Sequence, residues 1–192
     1  DKVLAVCGSD MKRRGKLSGG TIVATVMSNL GLHEFCRENG VGLVCTSVGD
    51  RNVLEKMNEC GYKLGGEQSG HTIFTDYATT GDGQLTAAQL LCLMKCEKKP
   101  LSELASVMTR YPQVTVNLTI TPAGKIAFYT DKVITDKIEE VKTKLGKSGR
   151  IVVRPSGTEP LIRVMVEGMD TDEITTLANE VAAVITERLS GK

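Results

Sequence analysis

Hydrophobic and polar positions along this chain follow two rhythms. In the first half, helical spacing alternates with short apolar runs. A helix is predicted over Lys2–Arg13, and its periodicity is already under way by Val3, so the chain is expected to be a piece of a longer polypeptide. Thr21–Val26 is an apolar, β-branched run bounded by Gly20 and Ser28, as expected of a short buried strand. A helix near Leu32–Glu38 and a strand at Gly42–Thr46 come next. They are followed by a helix from about Asn52 to Cys60 behind Asp50, whose carboxylate is placed to accept orphan amide protons. Such alternation argues for βαβ units and a mostly parallel sheet. Tyr62–Tyr77 is strand-like around a glycine-rich stretch. Leu85, Ala88, Leu91, Cys92 and Lys95 then mark a helix over Gly83–Lys95, and Ser102–Met108 a further one after Pro100.

Near Arg110–Pro112 the rhythm changes. Val114, Val116, Leu118 and Ile120 alternate with Thr115, Asn117, Thr119 and Thr121, the period of a strand buried on one face. Ile134, Ile138, Val141 and Leu145 mark a helix; Ile151–Arg154 and Ile162–Glu167 read as strands. A last helix runs from Asp172 to about Leu189, with Asp170 and Glu173 set as a capping box. The expected fold is an α/β domain with a mostly parallel sheet over residues 1–109. A smaller α+β domain, with sheet and helices packed on one face, is expected over 110–192.

Composition narrows the function. The 192 residues are 41% hydrophobic, enough for two cores, and 24 basic against 23 acidic residues leave a net charge of +1 with no basic or acidic block. Nucleic acid and membrane surfaces are therefore not expected partners. The apolar runs are strand-sized and no leader opens the chain, so a cytoplasmic protein is expected. Six cysteines are expected to be mostly buried thiols, and Cys92 and Cys96 lack the companions of a zinc site; no metal set is expected on this chain. His33 is expected on a helix as a surface or packing residue.

Two loops carry chemistry. Arg154-Pro155-Ser156-Gly157-Thr158-Glu159-Pro160 lies between two predicted strands, with Arg163 just beyond. A guanidinium, small hydroxyls and amides freed by a glycine suit a phosphate monoester, and Arg154, Ser156, Gly157, Thr158 and Arg163 supply them. The same residues also read as an ordinary turn in which Glu159 pairs with an arginine. Gly65-Gly66-Glu67-Gln68-Ser69-Gly70-His71 offers a carboxylate for neighbouring sugar hydroxyls and glycines for close approach, although on pattern alone it reads more readily as a plain polar loop. His71 reads as a general acid or base, or as a residue that only holds the loop. Arg51 reads as a sugar or phosphate contact, or as a surface arginine at a helix start.

Together and in this order the two loops resemble those of the α-D-phosphohexomutase family, whose members have four domains, and the resemblance covers essentially the whole chain. The family's third domain carries Gly-Glu-x-Ser-Gly-His, here Gly66–His71. Its fourth carries Arg-x-Ser-Gly-Thr-Glu-Pro, here Arg154–Pro160. Ala24–Gly31, Val48–Arg51 and Thr79–Gly83 are similar to the phosphoglucosamine mutase branch. The resemblance implies that residues 1–109 bind the sugar through Glu67, Ser69, Gly70 and Arg51. It implies that 110–192 bind the phosphate not undergoing transfer through Arg154, Ser156, Gly157, Thr158 and Arg163.

The implied full-length reaction interconverts glucosamine 6-phosphate and glucosamine 1-phosphate through glucosamine 1,6-bisphosphate. The implied partners are a hexosamine phosphate and the missing N-terminal domains. The family's phosphoserine loop and its Asp-x-Asp-x-Asp-Arg magnesium loop have no counterpart here, so the implied Mg2+ ligands lie outside this chain and the chain alone is expected to be inactive. A phosphomannomutase or phosphoglucomutase fragment and a stand-alone sugar-phosphate-binding module stay open as alternatives, as does oligomeric state.

Overall fold

The computed structural model describes residues 1–189; the last three residues of the expected second domain lie outside this range. The chain divides into two compact units, Asp1–Arg110 and a second that begins at Tyr111.

In the first unit, α1 (Lys2–Arg13), β1 (Thr21–Thr25), α2 (Leu30–Glu38), β2 (Gly42–Thr46), α3 (Asp50–Cys60), β3 (Leu64–Gly66), β4 (Thr72–Phe74), α4 (Gly83–Glu97) and α5 (Leu101–Leu104) follow in order. The sheet runs β2-β1-β3-β4, with β1 parallel to both neighbours and β4 antiparallel to β3. Every residue of β1 is buried. Ile22 and Ala24 pack with Leu4, Leu32 and Phe35 of α1 and α2, while Val23 packs with Val53 and Met57 of α3. Apolar layers on both faces explain why this strand reads as an unbroken hydrophobic run. Gly65 is where α3 and β1 close on β3: a Cβ there would lie 2.9 Å from Val53 Cγ1 and 3.0 Å from the Val23 carbonyl oxygen. That contact sets the height at which the loop after β3 emerges.

The second unit holds β5 (Gln113–Thr119), α6 (Pro122–Phe128), α7 (Lys132–Leu145), β6 (Gly149–Pro155), β7 (Leu161–Gly168) and α8 (Thr171–Leu189). Its sheet is antiparallel, β5-β7-β6. Val114, Val116, Leu118, Ile151, Val153, Ile162, Val164 and Val166 share one cluster with Ile134, Val141 and Leu145 of α7 and Ile174, Val181 and Ile185 of α8. Helices on one face of a small sheet are the expected class, although α6 was not predicted. Thr121 caps α6 by accepting from the Gly124 amide at 3.0 Å, and Pro122 fills its first turn. Asp131 caps α7 through the amides of Val133 and Ile134 at 3.0 and 3.3 Å, and Arg188 Nε donates to its other oxygen at 3.1 Å. Asp170 takes the amides of Asp172 and Glu173 at 2.9 and 3.1 Å.

Several local expectations are corrected. Gly49 rather than Asp50 caps α3; Asp50 is the first helical residue, and its carboxylate accepts from Arg51 N–H at 2.8 Å. In α4 the inward residue is Leu93, with Leu85 and Leu90 partly packed, whereas Leu91 is 64% exposed and Cys92 is also exposed. An apolar helix with no polar stripe leaves its rotation to its neighbours. Only Cys7 and Cys36 are buried, with thiol pKa values pushed up to about 12 by burial; Cys45, Cys60, Cys92 and Cys96 are exposed. The helix expected over Ser102–Met108 is a single α-turn, α5, followed by a 3-10 turn at Ala105–Val107. His33 is half-buried on α2. Among the described residues no helix is long and apolar enough to cross a membrane.

Candidate functional site

The first loop is the tip of the β3–β4 hairpin. Gly66 pairs with Thr72, Glu67 N–H donates to the His71 carbonyl at 2.8 Å, and Gly70 N–H returns to the Glu67 carbonyl at 3.1 Å. Gly70 sits at φ +111°, which a side chain would strain. The turn therefore holds Glu67, Ser69 and His71 within one short span. The Glu67 side chain is 10% exposed, and its Oε1 accepts the Gly49 amide proton at 2.9 Å. The carboxylate thus takes over part of the capping expected of Asp50, and the N-terminal end of α3 favours its negative charge. Glu67 Oε2 faces His71 Nδ1 at 3.5 Å, and Ser69 Oγ lies 3.4 Å from the same nitrogen.

The imidazole is 58% exposed, and Gly81 is close enough that a Cβ there would lie 3.3 Å from the His71 Cβ. Asp82 N–H donates to the Thr72 carbonyl at 3.2 Å and Asp82 Oδ1 caps α4 through the Leu85 amide at 2.9 Å, so the segment before α4 is fastened beside the hairpin. Arg51 lies in the first turn of α3, two residues after Gly49. It is exposed, and its guanidinium makes no hydrogen bond or ion pair among the described residues.

The second loop joins β6 to β7 in the other unit. Ser156 N–H donates to the Leu161 carbonyl at 2.8 Å and Leu161 N–H to the Glu159 carbonyl at 2.8 Å, which closes the turn. Ser156 is buried and its hydroxyl accepts the Glu159 amide proton at 3.2 Å, so this serine shapes the loop from within. Gly157 and Thr158 are exposed, and their amides donate to nothing among the described residues.

Arg154 and Arg163 are direct cross-strand partners. Like charges at such positions repel. Arg163 is steadied by Asn117 Oδ1 at 3.0 Å and Glu159 Oε2 at 3.3 Å. Arg154 Nε is buried with no acceptor among the described residues, and burial, then Arg163, push the Arg154 pKa below its ordinary value. Two facing cations, one unmet donor and two free amides are a set of sites that one anion with several oxygens completes.

The sequence reading missed Asn117 and Lys125, and it had Gly49 only as part of the Val48–Arg51 stretch, not as the donor to Glu67. Lys125 of α6 donates to the Ser156 carbonyl at 2.6 Å and to the Glu159 carbonyl. Gly49 acts through a backbone amide, which leaves no trace in a sequence, and Lys125 looks like any helix-surface lysine. The alternation that put Asn117 on the polar side of β5 was the one available hint. Among the described residues no group of three or more His, Cys, Asp or Glu gathers where it could hold a metal ion.

Two family models match the chain: "Phosphoglucomutase/phosphomannomutase, alpha/beta/alpha domain III" over residues 1–111, and "Phosphoglucomutase/phosphomannomutase, C-terminal domain" over residues 97–184. A phosphoglucosamine mutase from Alkaliphilus oremlandii is 52% identical over 99% of this chain, and one from Leifsonia xyli subsp. xyli is 53% identical over 100% of it. The chain spans 42% of the length of each of these relatives. The crystal structure of Aspergillus fumigatus N-acetylphosphoglucosamine mutase in complex with GlcNAc-6P and magnesium shares the fold, with a TM-score of 0.77 at 19% identity over 96% of this chain and 46% of that one.

Proposed function

The chain belongs to the phosphoglucomutase/phosphomannomutase family, and on that premise we propose that it is the sugar- and phosphate-recognition portion of a phosphoglucosamine mutase. The reaction so assigned interconverts glucosamine 6-phosphate and glucosamine 1-phosphate through a bisphosphorylated sugar, with a phosphoserine supplied from outside this chain. The observation that carries the reading is the Arg154–Arg163 cross-strand pair with its unmet buried donor, an arrangement that costs stability unless an anion sits on it. The phosphoglucosamine mutase relatives, identical at about half of all positions, support the hexosamine as substrate.

In this reading Arg154, Arg163 and the amides of Gly157 and Thr158 hold the phosphate that is not reacting, with Ser156 setting the loop's curvature. Glu67 Oε2 and Ser69 Oγ accept or share sugar hydroxyl protons, and Arg51 is free to reach the ligand. His71 Nδ1 is turned toward Glu67 and Ser69, which leaves Nε2 as the nitrogen able to exchange a proton with substrate. Holding one end of the sugar phosphate converts binding energy into alignment at the other. The Aspergillus relative was crystallised with magnesium. The described residues of this chain gather no donor set for that ion.

Titrating the chain with glucosamine 6-phosphate, and separately with glucose and mannose 6-phosphates, while following amide chemical shifts tests the reading. Shifts at Glu67–His71 and Arg154–Thr158 that are largest for the glucosamine ester are expected. A stronger response to the mannose ester would overturn the substrate assignment, and magnesium-dependent mutase turnover by the purified chain would overturn its role as a recognition portion only.

A further inference from the structure

A trans peptide is planar, with its carbonyl and the following N–H pointing to opposite sides. The described chain has no cis peptide bond. Whatever fixes the Ser156 carbonyl therefore also aims the Gly157 N–H. In this fold the fixing group is the ammonium of Lys125, which lies 31 residues earlier in the chain and donates to Ser156 O at 2.6 Å and also to Glu159 O. The two carbonyls stand at the entrance and exit of the turn, so a single cation holds both ends.

Lys125 is itself held in place. Ile120 N–H donates to the Pro160 carbonyl at 2.9 Å, Thr121 caps α6, and Gly124 is packed so closely that a Cβ would lie 2.5 Å from Ile120 Cγ2. The phosphate loop and the first turn of α6 are thus one fastened assembly, with the lysine between them.

We propose that Lys125 is a positioning residue for phosphate binding: by holding the Ser156 carbonyl on one side it presents the Gly157 amide to the other, toward an anion met by Arg154 and Arg163, and by also holding the Glu159 carbonyl it fixes the exit of the turn. The ammonium also neutralises carbonyl dipoles that would otherwise repel a dianion. This rests on the phosphate reading of the loop given above and adds to it a residue outside the motif.

The test uses the 192-residue chain, inorganic phosphate as probe, and amide shifts of Ser156–Glu159 as readout, in the wild type, Lys125→Met, Lys125→Arg and Arg154→Ala. Lys125→Met is expected to bind phosphate about tenfold more weakly, consistent with the loss of charge-assisted hydrogen bonds. Its Gly157 and Thr158 amide shifts in the phosphate-free state should move, while resonances of β7 and α8 stay in place. Lys125→Arg, which can reach both carbonyls with its fork, should recover at least half of the lost affinity on a logarithmic scale. If Arg154→Ala abolishes binding while Lys125→Met binds within twofold of wild type, the positioning role is wrong and the phosphate loop stands. If wild type shows no phosphate-dependent shift in the loop, the loop reading falls and the lysine's role with it. If Lys125→Met weakens binding only at low salt and Lys125→Arg with unchanged loop shifts restores it, the lysine acts as a remote charge and the proposal is overturned.

Discussion

Replacing Arg154 with methionine should make the second unit more stable and worse at binding phosphate. Methionine keeps the aliphatic stem and removes a buried Nε with no acceptor among the described residues and a cation facing Arg163 across the strands, and with them one arm of the proposed anion site. A buried donor left unpaired costs about 1–3 kcal/mol, and a like-charge cross-strand pair about 0.2–1 kcal/mol. The side chain is only partly buried, so water offsets some of this, and we take about 1 kcal/mol as the net relief. For a unit of this size that corresponds to a rise of about 4–8 °C in melting temperature.

The assay is thermal melting of the chain in phosphate-free buffer, followed through amide resonances of β7 and α8 so that the second unit is read by itself. Repeating it with phosphate at about ten times its dissociation constant should stabilise wild type by about 1.4 kcal/mol, by mass action, and leave the variant almost unmoved. Wild type would then draw level with the variant and overtake it slightly as phosphate is added. A variant that melts below wild type without phosphate would refute the reasoning. It would mean that Arg154 contributes packing or contacts worth more than the repulsion and the unmet donor cost.

Two further outcomes are expected. Glu67→Ala leaves the Gly49 amide without its acceptor and should cost the first unit about 1–3 kcal/mol in urea unfolding, with faster exchange of the Gly49 amide proton; an unchanged midpoint would show that water replaces the carboxylate. At Asp131 burial works against the charged form, but the Arg188 hydrogen bond and the amides of Ile134 and Val133 outweigh it and hold the carboxyl below its ordinary value. Because the folded-state pKa is depressed, wild type should exceed Asp131→Asn in stability at neutral pH. The excess should be full above the unfolded carboxylate pKa near about 4 and disappear as pH falls through the lower folded value. A stability difference that does not change with pH would mean that the carboxylate's charge is not what the site uses.

Much of the fold was legible because burial demands are periodic. The one-face alternation from Val114 to Leu118 can belong only to a strand with one wet side, and the apolar run Thr21–Thr25 only to a short strand covered on both faces or to a buried helix too short to form. α6 escaped because its seven residues carry no stripe, and the rotation of α4 escaped because it is apolar nearly all round. Both depend on what packs against them.

The chemistry divides along the same line. Residue types and order grouped Glu67, Ser69 and His71 in one loop and Arg154–Thr158 in another, and it was their resemblance to the family's two motifs, not the residue types alone, that gave those loops a chemical reading. Only the tertiary structure decided that Glu67 spends one oxygen on Gly49, that Arg154 faces Arg163, and that Lys125 holds the β6–β7 loop. Each of those is a contact between residues 9 to 31 positions apart. Strand register and helix docking bring such pairs together, and local sequence does not encode either one.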